Sequence, residues 1–164
     1  MTRTIDKVLT KRMGGKQQSI NEEARTATFV FSTSATDRMG DIIDQKTWQL
    51  DNYNANPQFL WAHKQRELPI GQTVDLQVKG GKLIGTVKFA TADEYPFADV
   101  CWRLVKGGYL SAVSVGFRPH RWESYADDAT GVSGYKFYDC ELLECSLVPI
   151  PANQDALIGA KGID

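Results

Sequence analysis

Residues 71–90 read GQTVDLQVKGGKLIGTVKFA. Apolar and polar side chains alternate on both sides of Gly80-Gly81, and a Gly-Gly loop supplies the positive φ angles that a two-residue hairpin turn requires. The stretch is therefore a β-hairpin whose strands lay one face on a core. The same grammar recurs on either side. ARTATFVFST (24–33) is rich in β-branched and aromatic residues, and QFLWAH (58–63) follows Pro57. Further on come 109–118, 119–125 and KFYDCELLECSLVPI (136–150), the last closed by Pro149 and Pro151. Each reads as a strand.

One segment breaks the period of two. In DEYPFADVCWRLVKGG (93–108), Phe97, Val100, Cys101 and Leu104 fall at i, i+3, i+4 and i+7 before a Gly-Gly stop. That spacing predicts a helix buried on that face. KTWQLDNY (46–53) and NQDALIGA (153–160) suggest shorter, peripheral helices. No βαβ rhythm repeats. The expected fold is α+β: a mainly antiparallel β-barrel or closed sheet with one principal helix over about 93–106. Residues 1–22 are polar and at first basic (Arg3, Lys7, Lys11, Arg12, Lys16), so a flexible arm is expected ahead of a single domain at 23–164.

Composition narrows the function classes. The chain has 164 residues, 19 Lys and Arg against 20 Asp and Glu, and a net charge of −1. Such a balance gives no electrostatic case for nucleic acid or an anionic membrane. No apolar run reaches the roughly 20 residues a membrane span requires, and MTRTIDKVLTKRMGGKQQ lacks the apolar core of a secretory signal. A cytosolic setting, of a cell or an infected host, is expected. Cys101, Cys140 and Cys145 form no CxxC pair. Cys140 and Cys145 are five apart on one strand and should face opposite ways, so all three are expected to be reduced core residues. With two histidines and no ligand cluster, neither a metal nor a cofactor is expected.

The candidate chemistry starts from two serines in an apolar run, Ser111 and Ser114 in YLSAVSVGF (109–117). Small residues fill tight places in strands, and a serine needs a nearby base to become a nucleophile. Ser114 is followed by Val115-Gly116, half of a G-x-S-x-G elbow with Ala112 at the first glycine position. His120 lies six residues on, about 20 Å along an extended chain, too far to serve Ser114 unless the chain folds back. His63 ends an apolar strand, where catalytic side chains tend to project. Glu144 stands in an apolar strand, sharing a face with Ser146 while Leu143, Cys145 and Leu147 point the other way. A carboxylate there needs a partner. It either pairs with an arginine or accepts the second ring N–H of His63, as in a catalytic triad; Asp139 and Glu141 are the alternatives.

Taken together, TDRMGDIID (36–44), FLWAHKQRELPIGQT (59–73), YLSAVSVGF (109–117) and LLECSLVPIPANQDA (142–156) resemble, in order and spacing, motifs of the prohead (capsid maturation) proteases of tailed bacteriophages. That family is similar in fold to the herpesvirus assemblins. The resemblance implies a serine endopeptidase with Ser114 as nucleophile, His63 as base and Glu144 as third member. For the oxyanion the resemblance points to the loop Pro151-Ala152-Asn153, which has no arginine, so main-chain N–H groups near Val115-Gly116, or Asn153, are the candidates. It implies scaffold and major capsid protein as substrates, and the protease itself, inside an assembling procapsid in the host cytoplasm, with homo-oligomerisation a further expectation. A non-catalytic relative serving capsid assembly, or a small β-barrel binding module, are the competing readings.

Overall fold

The computed structural model describes residues 19–159. In chain order these form β1 (Ile20–Asn21), β2 (Thr26–Thr33), β3 (Ile42–Ile43), α1 (Asp51–Ala55), β4 (Gln58–Trp61), β5 (Gly71–Lys79), β6 (Lys82–Phe89), α2 (Pro96–Lys106), β7 (Ala112–Asp127) and β8 (Val132–Val148). Of the arm expected over 1–22, residues 1–18 lie outside the described residues, and Ile20–Asn21 pair with β2. Among the described residues no helix is long and apolar enough to cross a membrane.

The hairpin expected around Gly80-Gly81 is β5–β6, with these two glycines at φ +58° and +70°. Both central angles are positive, as a type I′ loop demands. The eight strands join one sheet in the order β1-β2-β6-β5-β4-β8-β3, with β7 also pairing with β8. β8 is its spine. One edge pairs antiparallel with β7 from Ala112↔Val148 to Asp127↔Val132. Its other edge takes β3 and β4, both parallel.

The strand path is open, where the sequence predicts a barrel or closed sheet. Pro149 and Pro151 end β8, and the chain beyond them reaches the free sides of β2 and β7 only through single bridges, Phe29↔Ile158 and Ala112↔Leu157. The terminal helix predicted at 153–160 does not form over the described part. The Asn153 side chain accepts the Asp155 N–H (2.9 Å) and its carbonyl the Ala156 N–H (3.1 Å), a local turn that competes with helix. The strands predicted at 109–118 and 119–125 are one strand, β7, because Pro119 pairs with Cys140 without interrupting the ladder.

Two further differences arise from packing. The helix α2 is present, but it buries Ala98, Cys101, Trp102 and Val105, while Phe97, Val100 and Leu104 remain partly exposed. Trp102 decides the face. Its ring packs 5.2 Å from Phe89, which in turn meets Phe59 at 5.7 Å, and Phe59 meets Phe29 at 6.1 Å. The largest side chain outweighs the alternative stripe. In β8, the register shifts opposite Gly116/Phe117, so Gly116 pairs with Glu144 but Phe117 with Leu142. This bulge turns Leu142 into the core and leaves Leu143 exposed, the reverse of simple alternation. It also cancels the parity argument for the cysteines, since Cys140 and Cys145 are both fully buried. All three thiols are free. Burial pushes Cys101 up to about 11, Cys140 up to about 12, and Cys145 well up, so none supplies a thiolate near neutral pH.

Candidate active site

Three strands bring the chemistry together. β4 lies beside β8 with Leu60 opposite Ser146 and Trp61 opposite Leu147. β7 lies on the other side with Ser114 opposite Ser146 and Gly116 opposite Glu144. Directly paired residues share a face, with Cβ atoms about 4.5–5.5 Å apart. Ser114, Gly116, Glu144 and Ser146 therefore occupy one side of the sheet. Val113, Cys145 and Leu147 are in the core beneath it.

His63 reaches that face by an unusual turn. Immediately after β4, Ala62 and His63 have φ +50° and +60°, and the Lys64 N–H donates to the Trp61 carbonyl at 3.0 Å. Two positive φ angles inside an i→i+3 bond are the marks of a type I′ turn, which glycine and asparagine usually occupy. Left-handed backbone at a non-glycine residue costs roughly 1–3 kcal/mol and persists only where neighbours hold it. Here the Ala62 N–H donates to the Leu147 carbonyl (3.0 Å), and the His63 N–H donates to Ser146 Oγ (3.0 Å).

The turn sets the imidazole against Glu144, and His63 Nδ1 is hydrogen-bonded to Glu144 Oε1. Ser146 Oγ donates to the other carboxylate oxygen, Oε2, at 2.6 Å. Glu144 is 4% exposed and Ser146 is fully buried. Both carboxylate oxygens thus have a partner, the condition for keeping a charge out of water. The hydrogen bond that the His63 ring donates to Glu144, reinforced by the carboxylate charge and opposed by burial, raises the histidine pKa above its usual value. A proton on Nδ1 directed at the carboxylate leaves Nε2 as the basic nitrogen.

Gly116 makes room for this arrangement. A Cβ placed there would stand 2.6 Å from Glu144 Oε1 and 3.0 Å from its Cγ. The carboxylate side chain lies across the bare glycine backbone, so this glycine serves the acid.

Ser114 is buried, 7% exposed, and its hydroxyl makes no hydrogen bond among the described residues. It is on the same face as the His63–Glu144 pair but is not bonded to the ring. Beside it opens a cavity of about 30 Å³, space for a water or two, bordered by Ser32, Thr33, Val115, Phe117 and Asn153. The Asn153 amide donates to the Thr33 carbonyl (3.3 Å) and hydroxyl (3.2 Å), which commits it to holding its own loop. The 36–44 motif holds the same loop from outside: Arg38 Nε donates to the Pro151 carbonyl (3.0 Å) and its N–H to the Ala152 carbonyl (3.2 Å).

The other candidates lie elsewhere. His120 faces Glu141 at 3.7 Å on the exposed side, and Asp139 pairs with Arg121 at 3.2 Å. The Ser111 carbonyl accepts the Ile158 N–H at 2.7 Å, anchoring the terminal segment. Sequence reasoning gave Ser146 no role. The available signal was the Glu-x-Ser spacing, which puts acid and hydroxyl on one strand face.

A model of the caudovirus prohead serine protease family matches residues 13–163. The chain is 36% identical over 132 residues to the prohead protease of Escherichia phage T5, covering 76% of this chain and 57% of that protein. It is 30% identical over 152 residues to a capsid polyprotein of Pseudomonas phage PAJU2, covering 90% of this chain and 22% of that one. The chain therefore spans little more than half of one relative and less than a quarter of the other. It belongs to the caudovirus prohead serine protease family.

Proposed function

We propose, from membership of this family, that the chain is a serine endopeptidase of procapsid maturation with Ser114, His63 and Glu144 as its triad. The observation that carries the reading is the His63–Glu144 hydrogen bond, held on the sheet face that also bears Ser114. Glu144 fixes the tautomer, so Nε2 takes the Ser114 proton as Oγ attacks the scissile carbonyl. The imidazolium so formed faces a carboxylate and then gives its proton to the leaving amine. Water repeats the sequence on the acyl-enzyme and restores Ser114.

Main-chain N–H groups at Val115-Gly116, which lie in the β7–β8 ladder, and the Asn153 amide, which is bonded to Thr33, are the candidate oxyanion donors. The substrates in this reading are scaffold and capsid protein segments and the chain itself, met inside the procapsid in the host cytoplasm. A relative described as a capsid polyprotein supports the capsid association. The likeness to herpesvirus assemblins in fold belongs to the same reading.

The test is processing of a co-expressed scaffold or capsid protein. Ser114→Ala abolishes cleavage and leaves the circular dichroism and melting temperature unchanged. Normal processing by that variant removes Ser114 as nucleophile and turns attention to Ser111.

A further inference from the structure

We infer that Ser146 is a positioning residue of the active site, which aims His63 and fixes Glu144 through a single hydroxyl group. The inference rests on the peptidase reading above.

The hydroxyl has one proton and two lone pairs, and the structure uses it in both directions. It donates to Glu144 Oε2 at 2.6 Å and accepts the main-chain N–H of His63 at 3.0 Å. One atom thereby joins the acid to the backbone of the base. Each contact limits a different freedom. The bond to Glu144 stops the carboxylate rotating away from Nδ1, so the proton on that nitrogen always has an acceptor. The bond to His63 N–H secures the second of two left-handed residues in the turn after β4. A relaxed turn would carry the imidazole along the strand direction, away from the sheet face that carries Ser114.

Burial makes these contacts exclusive. Ser146 is 0% exposed, so water does not replace the hydroxyl when it is removed. The residue also sits directly across β8–β7 from Ser114 and beside Leu60 of β4. It is the point of the sheet at which the strands carrying base, acid and nucleophile meet.

Two readouts on the full chain test this role. In NMR titrations of His63, Ser146→Ala lowers the midpoint toward that of an ordinary histidine, as Glu144→Gln does. In peptidase assays, Ser146→Ala lowers kcat about 10–100-fold, the usual cost of an outer-shell partner, with KM changed less than about two-fold. Combined with Glu144→Gln, the loss is less than multiplicative, since one of the hydroxyl's two contacts acts through the same carboxylate. An unmoved His63 titration, or a loss that multiplies fully with that of Glu144→Gln, overturns the inference. If Ser146→Ala does not fold, Ser146→Thr and Ser146→Val isolate the hydroxyl from the size of the side chain. Thr then keeps the raised titration and Val loses it; equal behaviour of the two also overturns the inference. Absence of any cleavage by the wild-type chain defeats the peptidase reading instead, and the titration still decides the role of Ser146.

Discussion

The two halves of the site are built differently. On one side, His63, Glu144 and Ser146 are bonded into a continuous chain, with a strained turn at one end and a buried carboxylate in the middle. On the other, Ser114 is placed only by its strand, next to a cavity, with no hydrogen bond to its hydroxyl among the described residues. Under the proposed triad, the difference matches what each group must do. A base must hold one orientation and one tautomer, which fixed partners supply. A nucleophile must move toward a carbon atom and exchange its proton, and a hydroxyl already committed to another acceptor would resist that.

Substitutions on the two halves should therefore behave unlike one another. The largest effect is expected for Ser114→Ala and His63→Ala. Each should lower kcat by about 10⁵-fold or more, and the double variant should be scarcely worse than either, because the pair acts as a unit. Active-site labelling with a fluorophosphonate separates them: it disappears in the first and is slowed in the second. Labelling that persists in Ser114→Ala would break the division between the halves.

Glu144→Gln comes next. The neutral amide no longer balances the charge of an imidazolium and can turn its NH₂ donor toward Nδ1, and a drop in kcat of about 10⁴-fold is the size expected for a misassigned tautomer. Its pH profile carries a sign. Glu144 raises the pKa of His63, and the base works only when neutral. In wild type, kcat/KM should fall with acidification through a midpoint above the ordinary histidine value of about 6.5. The variant should move that midpoint down. A profile that stays in place would detach Glu144 from His63 and return it to a structural role.

Gly116→Ala sharpens the comparison, since Gly116 lies on the strand of Ser114 yet makes room for Glu144. The new methyl would meet Glu144 Oε1 at 2.6 Å, so the carboxylate must shift. A displacement of this kind should cost about 10²-fold in kcat, with the His63 midpoint lowered as well. Loss of substrate affinity alone would instead place Gly116 with Ser114. The smallest effect is expected for His120→Ala. This ring is 45% exposed and 3.7 Å from Glu141, and breaking such a contact should change stability by less than about 1 kcal/mol and activity by less than about two-fold.

Much of this arrangement is legible in the chain where local rules act alone. The β5–β6 hairpin is readable because alternation and a Gly-Gly loop agree. Glu144 is conspicuous because a carboxylate in LLECSLV has no cheap place to go. The parts that escape are set by contacts remote in sequence. Nothing local announces the bulge that exchanges Leu142 and Leu143, since either leucine suits a core. The turn at Ala62-His63 is hidden because neither residue is a usual left-handed one, and its support comes from a serine 83 positions away. That serine reads as filler until its two partners are known. The helix α2 shows the remaining limit, for a sequence with two apolar stripes does not say which one Trp102 will claim.

The spacing of these contacts along the chain has a consequence for synthesis. The His63–Glu144 bond spans 81 residues and the His63–Ser146 bond 83. His63 and Ser114 are translated well before Glu144 and Ser146, the two side chains bonded to His63. A ribosome-bound chain that has not yet released β8 has no turn support for His63 and no partner strand for Ser114. Long-range pairings of this kind also form slowly. The order of translation therefore acts as a delay, in which His63 and Ser114 exist before the last strand brings them onto one sheet face with Glu144.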